Sequence, residues 1–385
     1  MKMIINKKIV LAIAIVISPI LLIWFFYWYN FCDVTGLEFY EDQPIKCFFS
    51  TNDRVFLLTE EGYGYVAGGY SNGSSRKYLN SEFTYNSYLN GSCPVKFYDK
   101  KIKQIITEES NAFFISETDQ LFRLNYDLTI ESIADNVIYA SRGAEGEIYF
   151  VDTNKNLYVK SNEKINFLKE NIKKIKCYNS FVYVLTTKGS LFLCERSVES
   201  LKFDNVLFEN VQDFDVVDTS PRMIDGLYVS NDETALLLPL INVLTQNGDL
   251  YVKGAYNTIP CGTMLTKEPA EPKIYEDWLH LASGIKQFSI APMGTIMLTD
   301  DNRSIYYGFD SDLTYNSTFG KREFDISNCE IVGAADMLIF VKDNNGIFYI
   351  FGYCSLLFPF AYTDNNDHSI MNGIAFQLMT KDEVS

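Results

Sequence analysis

The chain is predicted to be all-β, a β-propeller of seven blades preceded by one transmembrane α-helix. Three observations predict this. One apolar–turn–apolar unit is written seven times. Tyr and Phe, which suit pleated strands, number 26 and 29. An uncharged apolar run, residues 9–28, stands ahead of the repeats. Repeats of roughly 40 to 50 residues with about four strands each mark a propeller. A sandwich or a solenoid is the alternative, but a solenoid wants a shorter and more uniform repeat.

The unit is clearest at Val243 to Tyr256, VLTQNGDLYVKGAY. An apolar strand leads through Gln246-Asn247-Gly248 into a second strand, where Leu250 and Val252 alternate with Tyr251 and Lys253. Asn-Gly between β-rich runs signals a tight hairpin, in whose favoured form both central residues take positive φ. Three copies precede a fourth at Val182 to Leu193: Phe56 to Val66, Phe113 to Phe122 and Ile148 to Val159. Two follow the clearest one, Ile296 to Tyr307 and Leu338 to Ile350. Ahead of each hairpin a further β-like run is expected, as in Ile45-Lys46-Cys47-Phe48, Ile102-Lys103-Gln104-Ile105, Ile172 to Cys177, Ile285-Lys286-Gln287-Phe288 and Glu330-Ile331-Val332. A fourth strand falls in the variable segment that follows.

This frame resembles the repeat of the regulator of chromosome condensation family. Val243 to Asn257 fits it best, with Gly68, Gly254, Gly308 and Gly352 where that family ends its second hairpin strand in glycine. Pro94-Val95 matches the pair that closes a unit. The resemblance spans residues 45–355 in periodicity and implies a seven-bladed ring. The family's glycine-rich GQLG segment is missing from every copy, so its nucleotide-exchange and chromatin functions are not implied.

Four regions are expected: a cytoplasmic N-terminus 1–8, an anchor 9–28, a juxtamembrane segment 29–44 and the propeller 45–385. An apolar helix of about 20 residues spans a bilayer, and Trp24, Tyr27, Trp28 and Tyr29 form an aromatic belt at its far end. Pro19 is tolerated there. The exit WFFYWYNFCD offers no small-residue cleavage site, so the anchor is retained and the lipid bilayer is one partner. Lys2, Lys7 and Lys8 precede the span while Asp33, Glu38, Glu41 and Asp42 follow it. Positive charge stays cytoplasmic, which puts the large domain in the periplasm, lumen or extracellular space.

All 49 acidic residues but only 30 of the 33 basic ones follow the span, so the domain carries a formal charge of −19. That field repels phosphate backbones, which argues against nucleic acid and favours encounter with a basic protein. Eight cysteines follow the span and permit disulfides in an oxidising compartment. Cys177 and Cys194 share a repeat and are a candidate pair. Asn72, Asn90, Asn302 and Asn316 head sequons.

A long polar insertion runs from Tyr70 to Cys93, a further insertion from Thr219 to Pro239, and long loops from Asn257 to Leu279 and Ser355 to Met371. The first supplies the candidate partner-binding residues Tyr70, Tyr78, Phe83, Tyr85 and Tyr88, because interface anchors are commonly aromatic.

No cofactor, metal or catalytic residue is assigned. Gly69-Tyr70-Ser71-Asn72-Gly73 has the form of a nucleophile elbow but ends a hairpin instead of feeding a helix. Its histidine would have to be His280 or His368. Asp310-x-Asp312 and Asp364 to Asp367 lack calcium-loop spacing, and no CxxC pair suggests zinc. The expected function is non-catalytic protein binding, as a scaffold or an immunity-type inhibitor. The alternative is a propeller that binds or processes glycans, its loop aromatics stacking on sugars.

Overall fold

The computed structural model describes residues 40–41, 43–51, 54–68, 94–108, 111–125, 128–143, 146–178, 181–195, 200–217, 239–256, 273–292, 294–311, 317–324, 326, 328–334, 338–353, 361–362 and 370–378. The expected anchor, residues 9–28, lies outside them. No helix among the described residues is long and apolar enough to cross a membrane.

Seven antiparallel sheets follow one another along the chain. Blade 1 is β1 (Ile45–Ser50), β2 (Arg54–Thr59), β3 (Gly64–Gly68) and β4 (Val95–Lys96). Blade 2 is β5 (Ile102–Glu108), β6 (Asn111–Ser116), β7 (Leu121–Leu124) and β8 (Ile130–Ala134). Blade 3 is β9 (Val137–Arg142), β10 (Ile148–Asp152), β11 (Leu157–Ser161) and β12 (Lys164–Lys169). Blade 4 is β13 (Ile172–Tyr178), β14 (Phe181–Thr186), β15 (Leu191–Glu195) and β16 (Val206–Phe208). Blade 5 is β17 (Val211–Val217), β18 (Leu240–Thr245), β19 (Leu250–Tyr256) and β20 (Lys273–Ala282). Blade 6 is β21 (Ile285–Ala291), β22 (Gly294–Thr299), β23 (Ser304–Ser311) and β24 (Ser317–Phe324). Blade 7 is β25 (Glu330–Ala334), β26 (Leu338–Lys342), β27 (Phe348–Tyr353), β28 (Ala361–Tyr362) and β29 (Ile370–Leu378). Within it β29 pairs with β27, and β28 lies outermost.

The first strands of successive blades touch all the way round, and β25 meets β1. This is a closed seven-bladed β-propeller, as the repeats predicted. All seven hairpins read from the sequence are the pairs of second and third strands. β29 is a nine-residue strand, and the ring is sealed by β1 on β25 and β26. The segment predicted as a loop to Leu279 ends earlier, because β20 begins at Lys273.

Among the described residues the core lies between blades, with a hydrophobic cluster at each of the seven junctions. Phe56 and Leu58 of β2 face blade 2 beside Ile105 and Phe114, whereas Val55 and Leu57 face blade 7 beside Phe340 and Ile350. A second strand is therefore buried on both faces, and β2, β18 and β22 are buried at every position. That is why these strands read as unbroken apolar runs while the third strands alternate. Gly254 shows what the strand-end glycine does in blade 5. Its φ is +103°, and a Cβ there would stand 1.7 Å from the Pro239 carbonyl oxygen.

Cys177 and Cys194 do not pair. Cys177 opposes Val182, and Val182 opposes Cys194, so two strand spacings of about 4.8 Å separate them. That exceeds the span of a disulfide. Among the described residues Cys47, Cys177, Cys194 and Cys329 stand outside any disulfide. Burial pushes the Cys47 and Cys194 thiols up to about 12, so both are neutral core groups near pH 7. The other four cysteines lie outside the described residues.

Candidate functional site

The two rims of the ring are built differently. At one rim sit the turns between second and third strands, here called the turn rim. Each turn carries one residue in the left-handed region, at Gly62, Asp119, Lys155, Gly189, Gly248, Asn302 and Gly346. In the best-fitting repeat, Gly248 N–H donates to Thr245 O at 3.0 Å and Thr245 N–H donates to Asp249 O at 2.9 Å. This corrects the expected turn form, in which both central residues take positive φ. Only Gly248 has positive φ, not Asn247, which is the geometry of a type I turn closed by a one-residue bulge.

A side-chain oxygen caps every one of these turns. Thr59, Ser116, Asp152, Thr186, Thr245, Thr299 and Asp343 each accept the backbone N–H four residues on, at 2.8–3.2 Å. Such short polar side chains compete well for local backbone donors. The left-handed residue then ties its blade to the next through its own carbonyl. Gly62, Asp119, Lys155, Gly189, Gly248 and Asn302 accept from Ile102, Val137, Ile172, Val211, Ile285 and Asn328 N–H at 2.7–3.1 Å. At the seam between blades 7 and 1, Lys342 Nζ donates to Ile45 O at 2.9 Å and pairs with Glu60 at 3.5 Å.

At the opposite rim, here the loop rim, third strands end and fourth strands begin. Connections 69–93, 257–272 and 312–316, from third to fourth strands, and 218–238, from a first strand to a second, leave and re-enter there. Tyr70, Tyr78, Phe83, Tyr85 and Tyr88 belong to the first of these and lie outside the described residues. So do the G-x-S-x-G stretch, Asp312, Asp364 to Asp367, Asn72, Asn90, Asn316 and His368. The strand that leads into G-x-S-x-G, β3, is the third of an antiparallel blade. The Asn302 sequon is one of the tight turns, and its Oδ1 accepts from Lys286 Nζ at 2.6 Å.

His280 stands near a serine and a carboxylate, but not as a relay. Its Nε2 lies 3.1 Å from Ser283 Oγ and 3.5 Å from Asp249 Oδ1, while Ser283 Oγ donates to Asp249 at 2.6 Å. One imidazole nitrogen faces both groups, so the carboxylate does not orient the ring from its far side as a triad requires. Among the described residues no cluster of three or more His, Cys, Asp or Glu side chains is placed to hold a metal.

The turn rim holds a feature the sequence reading missed. In six first strands the second residue is an extra one, expelled from pairing by a β-bulge: Lys46, Lys103, Ile138, Lys173, Gln212 and Lys286. Blade 7 has its bulge deeper, at Val332. A bulge re-aims the extra side chain. Lys103 reaches Asp119 at 2.7 Å, and Lys173 donates to the Gln212 carbonyl. The signal was available as an Ile-Lys pair heading four first strands.

Beside Lys286, between blades 6 and 7, lies a polar depression of about 440 Å³. Lys286, Lys342, Asn302, Asn328, Asn344, Glu330 and Asp343 line it over Cys329. Asp343 is committed to its turn, accepting the N–H groups of Asn345 and Ile347 at 2.9 Å and the Tyr349 hydroxyl at 3.3 Å.

Inside the ring, blades are cross-linked by polar side chains. Lys174 donates to Asp213 at 2.9 Å and to Phe214 O at 2.7 Å. Burial works against its charge, yet Tyr139, Asp213 and Asp215 outweigh this and hold its pKa above the ordinary range. Gln287 bonds Ile331 O and N–H at 3.1 and 3.3 Å.

No protein-family model matches the chain, and no curated protein matches it. Solved structures with a similar course include Prp20p from Saccharomyces cerevisiae, described with its binding to Gsp1p and histones. It is 13% identical over 86% of this chain and 77% of that one, with a TM-score of 0.43. Human WBSCR16 is 11% identical over 82% and 77%, at 0.40. PorZ of Porphyromonas gingivalis, a surface component of the type-IX secretion system, is 12% identical over 82% of this chain and 37% of its own, at 0.43.

Proposed function

We propose that the chain is a membrane-tethered propeller that binds another protein through its loop rim without catalysing a reaction, with the ring on the extracytoplasmic side. The asymmetry of the rims supports this reading. One rim is capped, turn by turn, in the same way in every blade. The longest connections, 69–93, 218–238 and 257–272, open at the other, where a rigid ring would present them. The tether rests on the apolar stretch 9–28 and the side on the flanking lysines.

Two experiments test it. Replacing Tyr78, Phe83, Tyr85 and Tyr88 by serine is expected to cut crosslinked capture of a protein partner from native membranes about tenfold, with the melting transition nearly unchanged. Capture that survives removes this loop as the site, and a collapsed melting transition assigns the aromatics to packing. Turnover across a glycoside panel by the intact protein would replace the reading with the glycan one. Separately, protease added to sealed cells is expected to digest the ring and spare the N-terminus. A protected ring reverses the topology.

A further inference from the structure

Blade 7 is fastened at the turn rim differently from the other six. In blades 1 to 6 the residue after the turn cap donates its backbone N–H to the residue just ahead of the blade's own first strand. These bonds join Glu60, Glu117, Thr153, Thr187, Gln246 and Asp300 to the carbonyls of Pro44, Lys101, Asn136, Asn171, Asn210 and Gly284, at 2.7–3.1 Å. The matching pair in blade 7 is Asn344 and Asn328. Asn328 is left-handed like Asn136, Asn171 and Asn210, with φ of 53° against 58°, 63° and 58°. Yet Asn344 N–H and Asn328 O have no partner among the described residues. Asn302 O holds this segment one residue early, through Asn328 N–H, where in blades 2 to 6 the N–H that opens the first strand serves.

The polar depression between blades 6 and 7 lies at this gap, with Asn328 and Asn344 in its wall. Its charged groups balance, Lys286 and Lys342 against Glu330 and Asp343. Most are already engaged. Lys286 donates to Asn302, Lys342 donates to Ile45 O, and Asp343 accepts from its own turn. What stays open is one backbone N–H and one backbone carbonyl, which in every other blade meet each other. The same turn also ends in Ile347, 43% exposed. Blades 1 to 6 carry Tyr63, Gln120, Asn156, Ser190, Asp249 and Arg303 at that position.

We propose that this junction binds an extended, uncharged polypeptide segment of a partner, whose backbone takes the place of the missing bond. A carbonyl of the segment accepts from Asn344 N–H, and an N–H of the segment donates to Asn328 O. β25 and β27 lie two strand spacings apart, roughly 10 Å, which about three extended residues span. The segment therefore crosses the turn and lays an apolar side chain against Ile347. Main-chain bonds give the affinity and the side-chain contact gives the selectivity, as in strand addition at a sheet edge.

The test is a titration of the full chain, in neutral detergent with its isoleucine δ1 methyls isotopically labelled, with a blocked alanine–leucine–alanine peptide. The Ile347 signal, identified by its loss in Ile347→Val, is expected to shift saturably. Asn344→Pro removes the N–H alone, because proline suits the first central position of a type I turn. This variant is expected to melt with the parent and to bind the peptide about fivefold more weakly. Gln246→Pro removes the same N–H from a fastened turn and is expected to lower the melting temperature by about 2 °C. The fully N-methylated peptide, which cannot donate to Asn328 O, is expected to bind the parent about fivefold more weakly than the unmethylated one. No saturable shift at Ile347, undiminished affinity of the methylated peptide, undiminished affinity in Asn344→Pro, or an Asn344→Pro protein that melts as low as Gln246→Pro overturns the proposal. The loop-rim reading does not depend on this outcome.

Discussion

Gly333→Ala is expected to lower the melting temperature by about 10 °C, the cost of roughly 4 kcal/mol at the seam. Gly333 lies on β25, against the strand that begins blade 1. A Cβ there would stand 1.6 Å from Phe48 O and 2.6 Å from Phe48 C. These are backbone atoms of β1, held by pairing with β2, so no side chain can swing away. Phe48 is itself fully buried, stacked on Phe340 with ring centroids 5.1 Å apart. Moving it opens the cluster that joins blades 7 and 1. Gly320→Ala is the control, since a Cβ there meets nothing within 4 Å, and a change below about 0.5 kcal/mol is expected. Calorimetry on both variants decides the matter. A Gly333→Ala protein that melts with the parent would mean the seam is looser than described.

Deleting residues 373–385 is expected to have an effect at least as large, a loss of well over 10 °C or of cooperative melting altogether. The deletion removes most of β29. Ile374, Ala375 and Phe376 oppose Ile350, Tyr349 and Phe348 on β27. Without them β27 becomes an open edge, with Ile350 and Phe351, both fully buried, directly behind it. Unpaired edges invite association as well as unfolding. Circular dichroism and light scattering on heating would show both. A truncated chain as stable as the parent would place the stability of blade 7 in its three inner strands.

Much of the ring was legible because its strands have a plain local cause. Second strands such as Phe56-Leu57-Leu58 are buried on both faces, and third strands such as Leu250 to Lys253 on one. Turn type was not legible at Asn247-Gly248. The dipeptide is the same in a two-residue turn and in the bulged three-residue turn, and the choice is made by pairing of Thr245 with Asp249 across it. Cys177 and Cys194 looked close because they share a repeat, but Val182 stands between them. The bulged lysines Lys46, Lys103, Lys173 and Lys286 were written in the sequence as Ile-Lys pairs, but their expulsion from pairing depends on a register slip against the second strand, which no single strand encodes. The proposed loop-rim residues Tyr70, Tyr78, Phe83, Tyr85 and Tyr88 rest on composition alone.

Each blade is closed within one continuous stretch of chain, and this orders events during synthesis. A blade has all its strands as soon as its last residue is made, so the first six can form one after another behind the growing end. Such nearest-neighbour pairing is fast and costs little chain entropy. The exception is the seam, where Lys342 meets Ile45 across 297 residues. Until that point is translated, the buried face of Phe48, Val55 and Leu57 has no lid. The incomplete ring is thus a sticky arc with one bare end, and that end is the earliest made. The nascent protein is most in need of a chaperone at its oldest surface, for the whole time that blades 2 to 7 take to appear.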